Sequence, residues 1–483
     1  MTESGVPEDR TVRGRHVVVV GGSLAGLLAA RVLAEHAERV TVVERDRLPD
    51  GPRARAGVPQ SRHVHVLMEG GADALEDLLP GIVEELVAHG APRVGMPSDT
   101  VHWQGGTFHR RTAATVHLMS GSRPLVEWLV RRRVLEDPRI SVLEGTEVVE
   151  LTGDARRVTG VEVRERGAGR GAEHGAERGG TRRLAASLVV DASGRSTRAP
   201  SWLEALGAAA VPEERIETGL AYATGTFVPP SGDGPEGATE GLSTAGFYFV
   251  PDGNNVRGAS VLPIEGGRSL VTLIGLRGTE PPTDPEEFRA FTARLPHPVL
   301  HDWLAGAQQE GAIHAFRATG NVRRRYDRTD RRTAGFLATG DALCAFNPVY
   351  GQGMAVAALA AVALRDSLAD PRRTPSGARV QRALLAASRQ AWDIATGADK
   401  ELPGARGNAV GVSRADRVLG RYLARVVERT AHDPVVGTAF RAVSSLKAPP
   451  GTLFAPEVLR AVLFGDSPAP CTELPLRPEE ERH

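Results

Sequence analysis

Cysteine is nearly absent from this chain, with two among 483 residues. Cys344 and Cys471 stand far apart, and neither has His or Cys neighbours at the spacing of metal ligands. This scarcity excludes a disulfide framework and a structural zinc site. We therefore predict two ordinary reduced thiols and no bound metal.

Net charge and long hydrophobic runs are also missing. Lysine plus arginine and aspartate plus glutamate number 59 each, so nothing favours nucleic acid or an anionic membrane as a partner. The longest apolar run, Met354 to Leu364, is too short to span a bilayer, and Met1 to His16 lacks the apolar core of a signal peptide. With 41% hydrophobic residues, the composition predicts a globular, cytoplasmic protein of two or three domains.

A glycine-rich turn near the start carries the first positive signal. The apolar run Val17–Val20 leads into this turn, and an alanine-rich amphipathic stretch then leads to a second apolar run that ends at Glu44. This order predicts a dinucleotide-binding βαβ unit, whose turn admits a pyrophosphate. Glu44 lies 18 residues beyond Gly26, near the spacing of the acid that holds a ribose hydroxyl, and its charge would repel a 2′-phosphate. The sequence thus predicts FAD or NAD, contacted by Gly21, Gly22, Ser23, Ala25, Gly26, Glu44 and Arg45.

Patterns further along predict that this nucleotide domain is interrupted and resumed. Helical patterns at 72–79 and 82–88 precede strand patterns at 101–103 and 114–119, which suggest an inserted sheet. The polar run from Arg164 to Arg183 predicts a solvated hairpin tip. Period-2 segments between Gly219 and Gly278 predict a mostly antiparallel sheet that forms the floor of a substrate domain. The predicted fold class is therefore α/β, with a Rossmann-type nucleotide-binding domain, an inserted, mostly antiparallel β-sheet substrate domain and C-terminal helices.

The predicted boundaries divide the chain into six segments. The nucleotide-binding domain takes residues 1–100, 120–205 and 326–375, and the substrate domain takes residues 101–119 and 206–325. The remaining residues, 376–483, form a helical region in which Leu419, Tyr422, Leu423 and Val426 share the apolar face of one helix.

A second constellation follows a buried-strand pattern at 336–338. It reads Gly340-Asp341-Ala342-Leu343-Cys344-Ala345-Phe346-Asn347-Pro348-Val349-Tyr350-Gly351-Gln352-Gly353-Met354. An aspartate at a strand end can accept hydrogen bonds from ribityl hydroxyls, and a helix that starts at Gly353 directs its positive end toward the flavin N1 and C2 carbonyl. The segment resembles the flavin-binding signature of the group A flavoprotein monooxygenases, in which Gly-Asp is followed at fixed spacing by Pro and then Gly-x-Gly. Cys344 departs from that signature, since the family often has histidine there, and we interpret it as a small buried hydrophobe.

Two further segments support the resemblance, which spans roughly residues 15 to 370. Asp191-Ala192-Ser193-Gly194-Arg195-Ser196 resembles the Asp-Gly fingerprint of the same superfamily, although a polar turn with a solvated Arg195 would look alike. Arg123, at the head of a predicted helix, matches the arginine that similar enzymes place against FAD. The resemblance implies a Rossmann-type FAD-binding domain, and the remaining predicted cofactor contacts are Arg55, Arg123, Asp191, Gly340, Asp341, Pro348, Gly351, Gly353 and Met354.

No second glycine fingerprint follows the first one. The glycines between Arg164 and Arg183 have no flanking helix with which to form it. The resemblance therefore implies that NAD(P)H binds transiently or that a partner flavin reductase supplies the electrons, with O2 as the co-substrate.

Within this superfamily the chain is similar to the bacterial flavin-dependent epoxidases of polyether biosynthesis, a squalene-epoxidase-like branch. The similar segments are 57–65, Pro263-Ile264-Glu265-Gly266-Gly267-Arg268 and 345–351. The resemblance implies epoxidation of an alkene in a polyketide or terpenoid intermediate, through a flavin C4a-hydroperoxide. The substrate would be a small apolar molecule, either free or bound to a carrier. Because the flavin performs the hard step, no side-chain nucleophile is expected.

Candidate walls of the substrate pocket are His63, His65, Phe247, Phe249 and Tyr350. The two histidines, spaced i and i+2, would share one side of an extended loop, whereas aromatic strand residues also commonly lie in a core. Aromatic hydroxylation is the main alternative activity, and it requires a base or a cation that favours a phenolate. Prenyl-chain reduction, halogenation and a flavin-binding protein without turnover are further alternatives; for halogenation, Tyr248-Phe249-Val250-Pro251 only faintly resembles the Trp-x-Ile-Pro segment of halogenases.

Overall fold

The structure is a computed structural model that describes residues 16–166, 180–230, 244–252, 255–328, 332–369, 376–466 and 468–475. Its strands are β1 His16–Val20, β2 Arg39–Val43, β3 Arg93–Met96, β4 Thr100–Gln104, β5 Thr107–Phe108, β6 Val116–Met119, β7 Ile140–Leu143, β8 Thr146–Gly153, β9 Val158–Glu165, β10 Arg182–Ala185, β11 Leu188–Asp191, β12 Glu213–Ile216, β13 Ala221–Val228, β14 Gly246–Phe249, β15 Gly258–Ile264, β16 Arg268–Gly275, β17 Gln308–Phe316, β18 Asn321–Arg324, β19 Phe336–Ala338 and β20 Cys344–Ala345. Its helices are α1 Leu24–Leu33, α2 Glu69–Leu78, α3 Ile82–Ala88, α4 Arg123–Val134, α5 Ala199–Ala205, α6 Pro285–Thr292, α7 Val299–Gly306, α8 Gly353–Ala369, α9 Gly377–Ala387, α10 Arg389–Glu401, α11 Arg414–Thr430, α12 Pro434–Ser444 and α13 Pro456–Phe464.

A five-stranded parallel sheet, in the order β19-β11-β1-β2-β7, forms the centre of the molecule. Its central strands are continuous valine runs, typical of parallel strands that are buried on both faces. Helix α1 lies against this sheet and packs on α4 and α8, while the small antiparallel sheet β10-β9-β8 contacts β11 and β2. The predicted α/β fold with a Rossmann-type unit is therefore confirmed.

The strand order places several chain segments at one edge of the sheet. The chain order reverses between β1 and β11, and ligands bind at such a reversal, beyond the carboxyl ends of the strands. Gly21, Glu44, Ala192 and Gly340 follow the carboxyl ends of β1, β2, β11 and β19 at or near that edge. Gly21 and Gly340, more than 300 positions apart in the sequence, therefore lie at the same edge of the sheet, beside the N-terminus of α1.

A second sheet has seven strands in the order β17-β13-β16-β15-β14-β4-β5. Its neighbours pair antiparallel except β14 with β4, which agrees with the predicted mostly antiparallel sheet. One face packs on α6 and α7 in an aromatic core that contains Phe227, Phe247 and Phe288. The opposite face carries Leu262 and Tyr248, which pack with Val66 from the loop after β2. The seven-stranded sheet therefore has one face in its own core and one toward the nucleotide-binding domain.

The C-terminal region is helical, as predicted, with α11, α12 and α13 enclosing a small core around Val426, Val436 and Val462. Leu419, predicted on the apolar face of α11, is instead 43% exposed, because the packed part of that face begins one turn later at Tyr422. Residues 167–179 of the predicted hairpin tip lie outside the described residues, but the flanking β9 and β10 pair antiparallel. Within the described ranges, no helix combines the length and hydropathy needed to cross a membrane.

Candidate functional site

The glycine-rich turn is fixed by close backbone approaches. Gly21 has φ +102°, and a Cβ there would come within 2.6 Å of the Ala192 carbonyl oxygen. At Gly26 a Cβ would lie 1.9 Å from the Gly21 carbonyl oxygen, so helix α1 can sit this close only without a side chain. These two glycines thus shape the turn, as the βαβ pattern predicts.

Ser23 precedes α1 and leaves the helix N-terminus uncapped by its side chain. Its hydroxyl donates to Glu127 Oε2 at 2.6 Å and accepts from Arg123 Nη2 at 2.9 Å. Both partners come from α4, where Glu127 stands one helical turn after Arg123. The first amides of α1 are therefore left to face the cleft, and an anion beside them would also meet the Arg123 guanidinium.

Arg55 is held by three carboxylates in the buried wall of the site. Its guanidinium lies 3.0 Å from Glu44, 3.2 Å from Asp46 and 2.8 Å from Glu127. Burial alone would lower the pKa of Arg55, but the charges of Glu127 and Glu44 outweigh it and raise the pKa. Burial likewise opposes ionisation of Glu127, and Arg123 and Arg55 more than compensate, which lowers its pKa. Arg55 thus orders the acidic residues of the site.

Glu44 lies at the predicted ribose position. Its Oε2 accepts from the Gly22 amide at 2.8 Å, and its Oε1 accepts from the Asp46 amide at 2.9 Å and pairs with Arg55. Because each carboxylate oxygen can accept two hydrogen bonds, Oε2 keeps one position for a ribose hydroxyl. Arg45, by contrast, is exposed at the rim and donates to the Gly57 carbonyl at 2.9 Å.

Asp191 lies beneath the cleft and organises the turn after β11. It is 1% exposed, and its carboxylate accepts from the Ser193 amide at 3.0 Å, the Ser193 hydroxyl at 2.6 Å and the Thr197 hydroxyl. Burial raises the pKa of Asp191 despite these bonds. Arg195 is not the solvated residue of a simple polar turn, because it donates to the carbonyls of Gly320 and Phe346. The turn is thereby tied to the segment that carries the second constellation.

Asp341 presents a carboxylate to the cleft. Gly340 before it has φ +56°, and a Cβ there would come within 2.6 Å of Ala25 Cβ, so this strand end can approach α1 closely. Among the described residues, no donor binds the Asp341 carboxylate, although it borders the cleft. Burial raises its pKa, with Arg195 and Arg123 acting in the opposite sense. A carboxylate in this position lacks hydroxyl or amide partners, and a ribityl chain would supply them.

The loop from Asn347 to Gly351 forms the far end of the cleft and leads into α8. Gly351 has φ +66°, and a Cβ there would lie 2.9 Å from Val66 Cγ2. At Gly353, the first residue of α8, a Cβ would meet nothing within 4 Å and would project into open space. The N-terminus of α8 therefore points a clear positive helix end at the cleft.

One cleft collects most of the predicted cofactor contacts. Those that border it are Gly21, Ser23, Ala25, Glu44, Arg45, Arg55, Arg123, Gly340, Asp341, Pro348, Gly351, Gly353 and Met354. Gly22, Gly26 and Asp191 support the turns around it instead of lining it. Sequence reasoning missed Glu127, whose signal was its spacing of four from Arg123 on one helix face. It also missed Asp399 of α10, fully buried, which accepts from Tyr350, Asn347 and Asn321 and left no local signal.

The two loop histidines serve different parts of the molecule. His63 Nδ1 bonds the Thr224 hydroxyl of β13 at 2.8 Å, and burial lowers its pKa to about 4. His65 borders the cofactor cleft, and its Nδ1 bonds the His63 carbonyl at 2.9 Å. Burial lowers the pKa of His65 to about 3, so it is neutral at pH 7. Of the two predicted residues, His65 therefore borders the cleft, whereas His63 does not line it and is held by β13.

Phe247 and Phe249 are not pocket walls. Each is 1% exposed and lies in the core between the seven-stranded sheet and α6 and α7. Side chains alternate along a strand, so Tyr248 between them is the residue that faces Val64, Val66 and Met68 beside the cleft. The sequence located the correct strand and chose the wrong face.

Tyr350 also has a task other than the predicted one. It does not border the cleft, and its hydroxyl donates to Asp399 Oδ1. Cys344, in contrast, is a buried thiol as interpreted from the sequence, 1% exposed, with its pKa raised by burial to about 12. The Cys344 thiol is therefore enclosed in the core, and the Tyr350 hydroxyl is engaged by Asp399.

The donor and acceptor set fits FAD along the length of the cleft. Glu44 suits the ribose, the N-terminus of α1 with Arg123 suits the pyrophosphate, and the unpartnered Asp341 suits the ribityl chain. The glycine at 353 leaves room for the flavin ring beside the N-terminus of α8.

Comparisons with known proteins agree with this assignment. Residues 16–197 match the family described as FAD dependent oxidoreductase. Protein Rv3254 of Mycobacterium tuberculosis is 37% identical over 363 residues, which cover 73% of this chain and 73% of that protein.

Solved structures share the fold at low sequence identity. The flavin-dependent brominase Bmp2 has a TM-score of 0.61 at 15% identity, over 89% of this chain and 93% of its own. For p-nitrophenol 4-monooxygenase PnpA from Pseudomonas putida the TM-score is 0.61 at 16% identity, over 90% and 99%. For the halogenase CmlS it is 0.59 at 20% identity, over 87% and 73%.

Fold, site and match together define an FAD-dependent oxidoreductase. Within that class, the chain belongs to the same family as Protein Rv3254.

Proposed function

We propose that this protein is an FAD-dependent monooxygenase that epoxidises an alkene of a small, largely apolar molecule, such as a polyketide or terpenoid intermediate of secondary metabolism. The observation that carries the proposal is the junction between the flavin end of the cleft and the apolar group formed by Val64, Val66, Met68, Met96, Leu118, Tyr248 and Leu262. An alkene held against this group would lie beside the flavin ring in a dry environment.

Each part of the site has a distinct binding role in this proposal. The N-terminus of α1 and Arg123 hold the pyrophosphate, Arg55 keeps the surrounding carboxylates in place, and Asp341 anchors the ribityl chain. The N-terminus of α8 stabilises negative charge on the reduced flavin. When bound and reduced, FAD supplies the chemistry by which O2 delivers one oxygen atom to an electron-rich carbon.

The apolar group has the further task of excluding water. Val66 and Leu262 are buried, and Met68 and Tyr248 are partly buried against them. His65, neutral at pH 7, adds no charge to this boundary. A side-chain nucleophile is not required, because the alkene itself attacks the oxygen that is transferred.

The electron donor is part of the proposal. We infer that NAD(P)H binds transiently or that a separate flavin reductase delivers the electrons, because the chain carries a single glycine fingerprint. The substrate is either free or attached to a carrier in this proposal.

Aromatic hydroxylation is the second candidate function. It is favoured by His102, whose ring lies 5.7 Å from that of Tyr248, and by the buried Arg441 near it. A cation or an imidazole in this position would stabilise a phenolate.

The test is oxygen incorporation by the FAD-loaded protein with NAD(P)H, a flavin reductase and 18O2. An alkene-bearing polyketide and a phenol are supplied in separate reactions, each with and without bromide, and the products are analysed by mass spectrometry. We expect one 18O atom in an epoxide. Hydroxylated phenol without epoxide would establish the second candidate, brominated product would establish halogenation, and a saturated chain without oxygen uptake would establish reduction.

A further inference from the structure

Five nitrogen-bearing side chains form a group, here named the cationic cluster, between the edge of the seven-stranded sheet and the C-terminal helices; three of them are buried and the other two, His102 and His432, are partly buried. Its members are His102, His109, Arg429, His432 and Arg441. The imidazoles of His102 and His109 are stacked at 4.1 Å with an interplanar angle of 9°. The charge of Arg441 lowers the pKa of both imidazoles, and the charge of Arg429 lowers the pKa of His432.

The cationic cluster is rich in donors that lack acceptors. His102 Nε2, His432 Nε2 and both Nε and Nη1 of Arg429 are fully buried without a hydrogen-bond partner among the described residues. Arg429 is 3% exposed. Arg441 is 8% exposed and donates from Nε to the Thr115 hydroxyl at 2.8 Å. Since buried polar groups are nearly always hydrogen-bonded, so many orphans in one place indicate a missing ligand.

The positive charge of the two arginines in the cluster indicates that the missing ligand is negatively charged. Buried guanidinium groups are normally paired with carboxylates, and neither Arg429 nor Arg441 forms an ion pair with any residue the structure describes. Burial, with no carboxylate to oppose it, lowers the pKa of Arg441 to about 10. Asp433, the acid nearest to Arg441 in the sequence, caps α12 through the amides of Val435 and Val436, and its charge acts on His432.

The backbone beneath Arg441 is adapted to hold it in place. Its guanidinium lies over Gly437, where a Cβ would come within 2.8 Å of Nη2 and 2.9 Å of Nη1. Glycine in the middle of a helix is unfavourable, so its presence in α12 fits a need for the arginine to fold back at this point.

The cluster is near the proposed reaction site. Helix α12 ends at Ser444, whose carbonyl accepts from Gln352 Nε2 in the flavin loop, and the Ser445 carbonyl accepts from the Gly70 amide at the start of α2. Arg441 stands about one helical turn, roughly 5 Å, before this contact. Tyr248 bridges the remaining gap, since it packs with Val66 and Leu262 on one side and contacts His102 on the other.

We propose that the cationic cluster binds the anionic end of the substrate, a carboxylate or a phenolate, while the apolar body lies against Tyr248 and Val66 beside the flavin. This inference rests on the proposed function and narrows its substrate class to apolar molecules with one negative charge. Arg441 supplies the charge-assisted hydrogen bonds, and His102 and His109 add neutral donors.

Binding of three probes to the FAD-loaded protein, measured by titration calorimetry at pH 8, tests the inference without requiring turnover. The probes are 1-naphthoate, an ionised nitrophenol and the uncharged 1-naphthamide. We expect at least one anion to bind about tenfold to a hundredfold more tightly than the amide, the range that charge-assisted hydrogen bonds give. The preferred anion identifies the group as carboxylate or phenolate.

Variants test whether Arg441 is responsible for the preference for an anionic probe. Arg441→Gln should abolish the preference for the anion. Gly437→Ala keeps the charge but displaces the guanidinium, and it should also reduce the preference if Arg441→Gln does not fold. Arg425→Gln, an exposed arginine of α11, is the matched control and should retain the preference. Equal binding of all three probes, failure of every probe to bind, or a preference that persists in Arg441→Gln would overturn the inference. Anion binding without 18O incorporation would refute the proposed monooxygenase activity and still support the anion-binding site.

Discussion

The Tyr350 hydroxyl donates a 2.5 Å hydrogen bond to Asp399 Oδ1, across 49 residues of sequence. Asp399 is fully buried in α10 and also accepts from the side chains of Asn321 and Asn347. A carboxylate from the C-terminal helices therefore fixes the loop that ends the cofactor cleft.

Removal of Asp399 should destabilise the protein far more than removal of its partner's hydroxyl. Asp399→Ala leaves three donors without an acceptor, two of them on the fully buried Asn321 and Asn347. We expect it to lower the free energy of unfolding by about 3 kcal/mol or more, whereas Tyr350→Phe should cost about 1 kcal/mol. Urea unfolding of the apo protein measures both. FAD affinity should fall in the same order, since the loop is then free to move. Equal losses in the two variants would contradict the proposed role of Asp399.

Two glycines at the cofactor cleft should respond in opposite ways to alanine. Gly26→Ala places a Cβ 1.9 Å from the Gly21 carbonyl oxygen and should destabilise the apo protein strongly. Gly353→Ala meets nothing in the protein and improves helix propensity, so apo stability should be kept. Because this Cβ projects into the cleft, FAD affinity should nevertheless drop at least about tenfold, as measured by quenching of flavin fluorescence. Unchanged FAD affinity in Gly353→Ala would place the flavin elsewhere.

Arg55→Met should leave Glu44 and Asp46 without their cation. Loss of one partner from a buried ion-pair group costs about 3–5 kcal/mol, and FAD binding should weaken because Glu44 repels its neighbours. Arg53→Met, two residues earlier and exposed, is the matched control. Thermal unfolding and FAD titration measure the stability and the FAD affinity of both variants. Equal stability and equal FAD affinity in the two would show that Arg55 is dispensable.

The two faces of β14 should separate stability from catalysis. Phe249→Ala opens a cavity in the core and should cost about 3–5 kcal/mol of unfolding free energy. Tyr248→Phe should leave stability nearly intact but alter the fraction of consumed NAD(P)H that yields product, because Tyr248 faces the apolar group beside the flavin. If instead Phe249→Leu changed this coupling and Tyr248→Phe did not, the assignment of faces would be reversed.

Stability should fall in mild acid because of buried histidines. Burial lowers the pKa of His63 from the ordinary histidine value of 6.5 to about 4, so between these values the unfolded chain binds a proton that the folded chain does not. Unfolding free energy should therefore decrease as the pH falls through this window, by up to about 1.4 kcal/mol per pH unit for each such histidine. His63→Gln should remove about 2 kcal/mol of the loss between pH 7 and 4.5, measured by urea unfolding. His89→Gln, at an exposed position, provides the comparison.

The fold was predictable where the signal was local. Val17–Val20, the glycine turn and Glu44 lie in one stretch of sequence, so the βαβ unit could be chosen from spacing, and the second constellation is equally contiguous, so its resemblance to a known flavin signature could be recognised. The choice between Phe247, Tyr248 and Phe249 could not, because a period-2 pattern identifies two faces without saying which is buried.

The residues that close the site were beyond sequence reasoning for a different reason. Asp399 and Arg441 lie in helices whose local patterns resemble those of any amphipathic segment. The role of Asp399 depends on Tyr350, about 50 residues away, and that of Arg441 on Thr115, more than 300 residues away. Tertiary contacts of this range leave no trace in periodicity.

The interleaved order of the parallel sheet has a consequence for synthesis on the ribosome. The first βαβ unit is complete by residue 43, but β19 and the Asp341 carboxylate emerge about 300 residues later, and Asp399 later still. A nascent chain therefore exposes a pyrophosphate-binding turn long before it has a flavin-binding end. Capture of the cofactor should therefore follow synthesis of β19, and a chain that stalls before β19 would have a glycine turn without the Asp341 carboxylate.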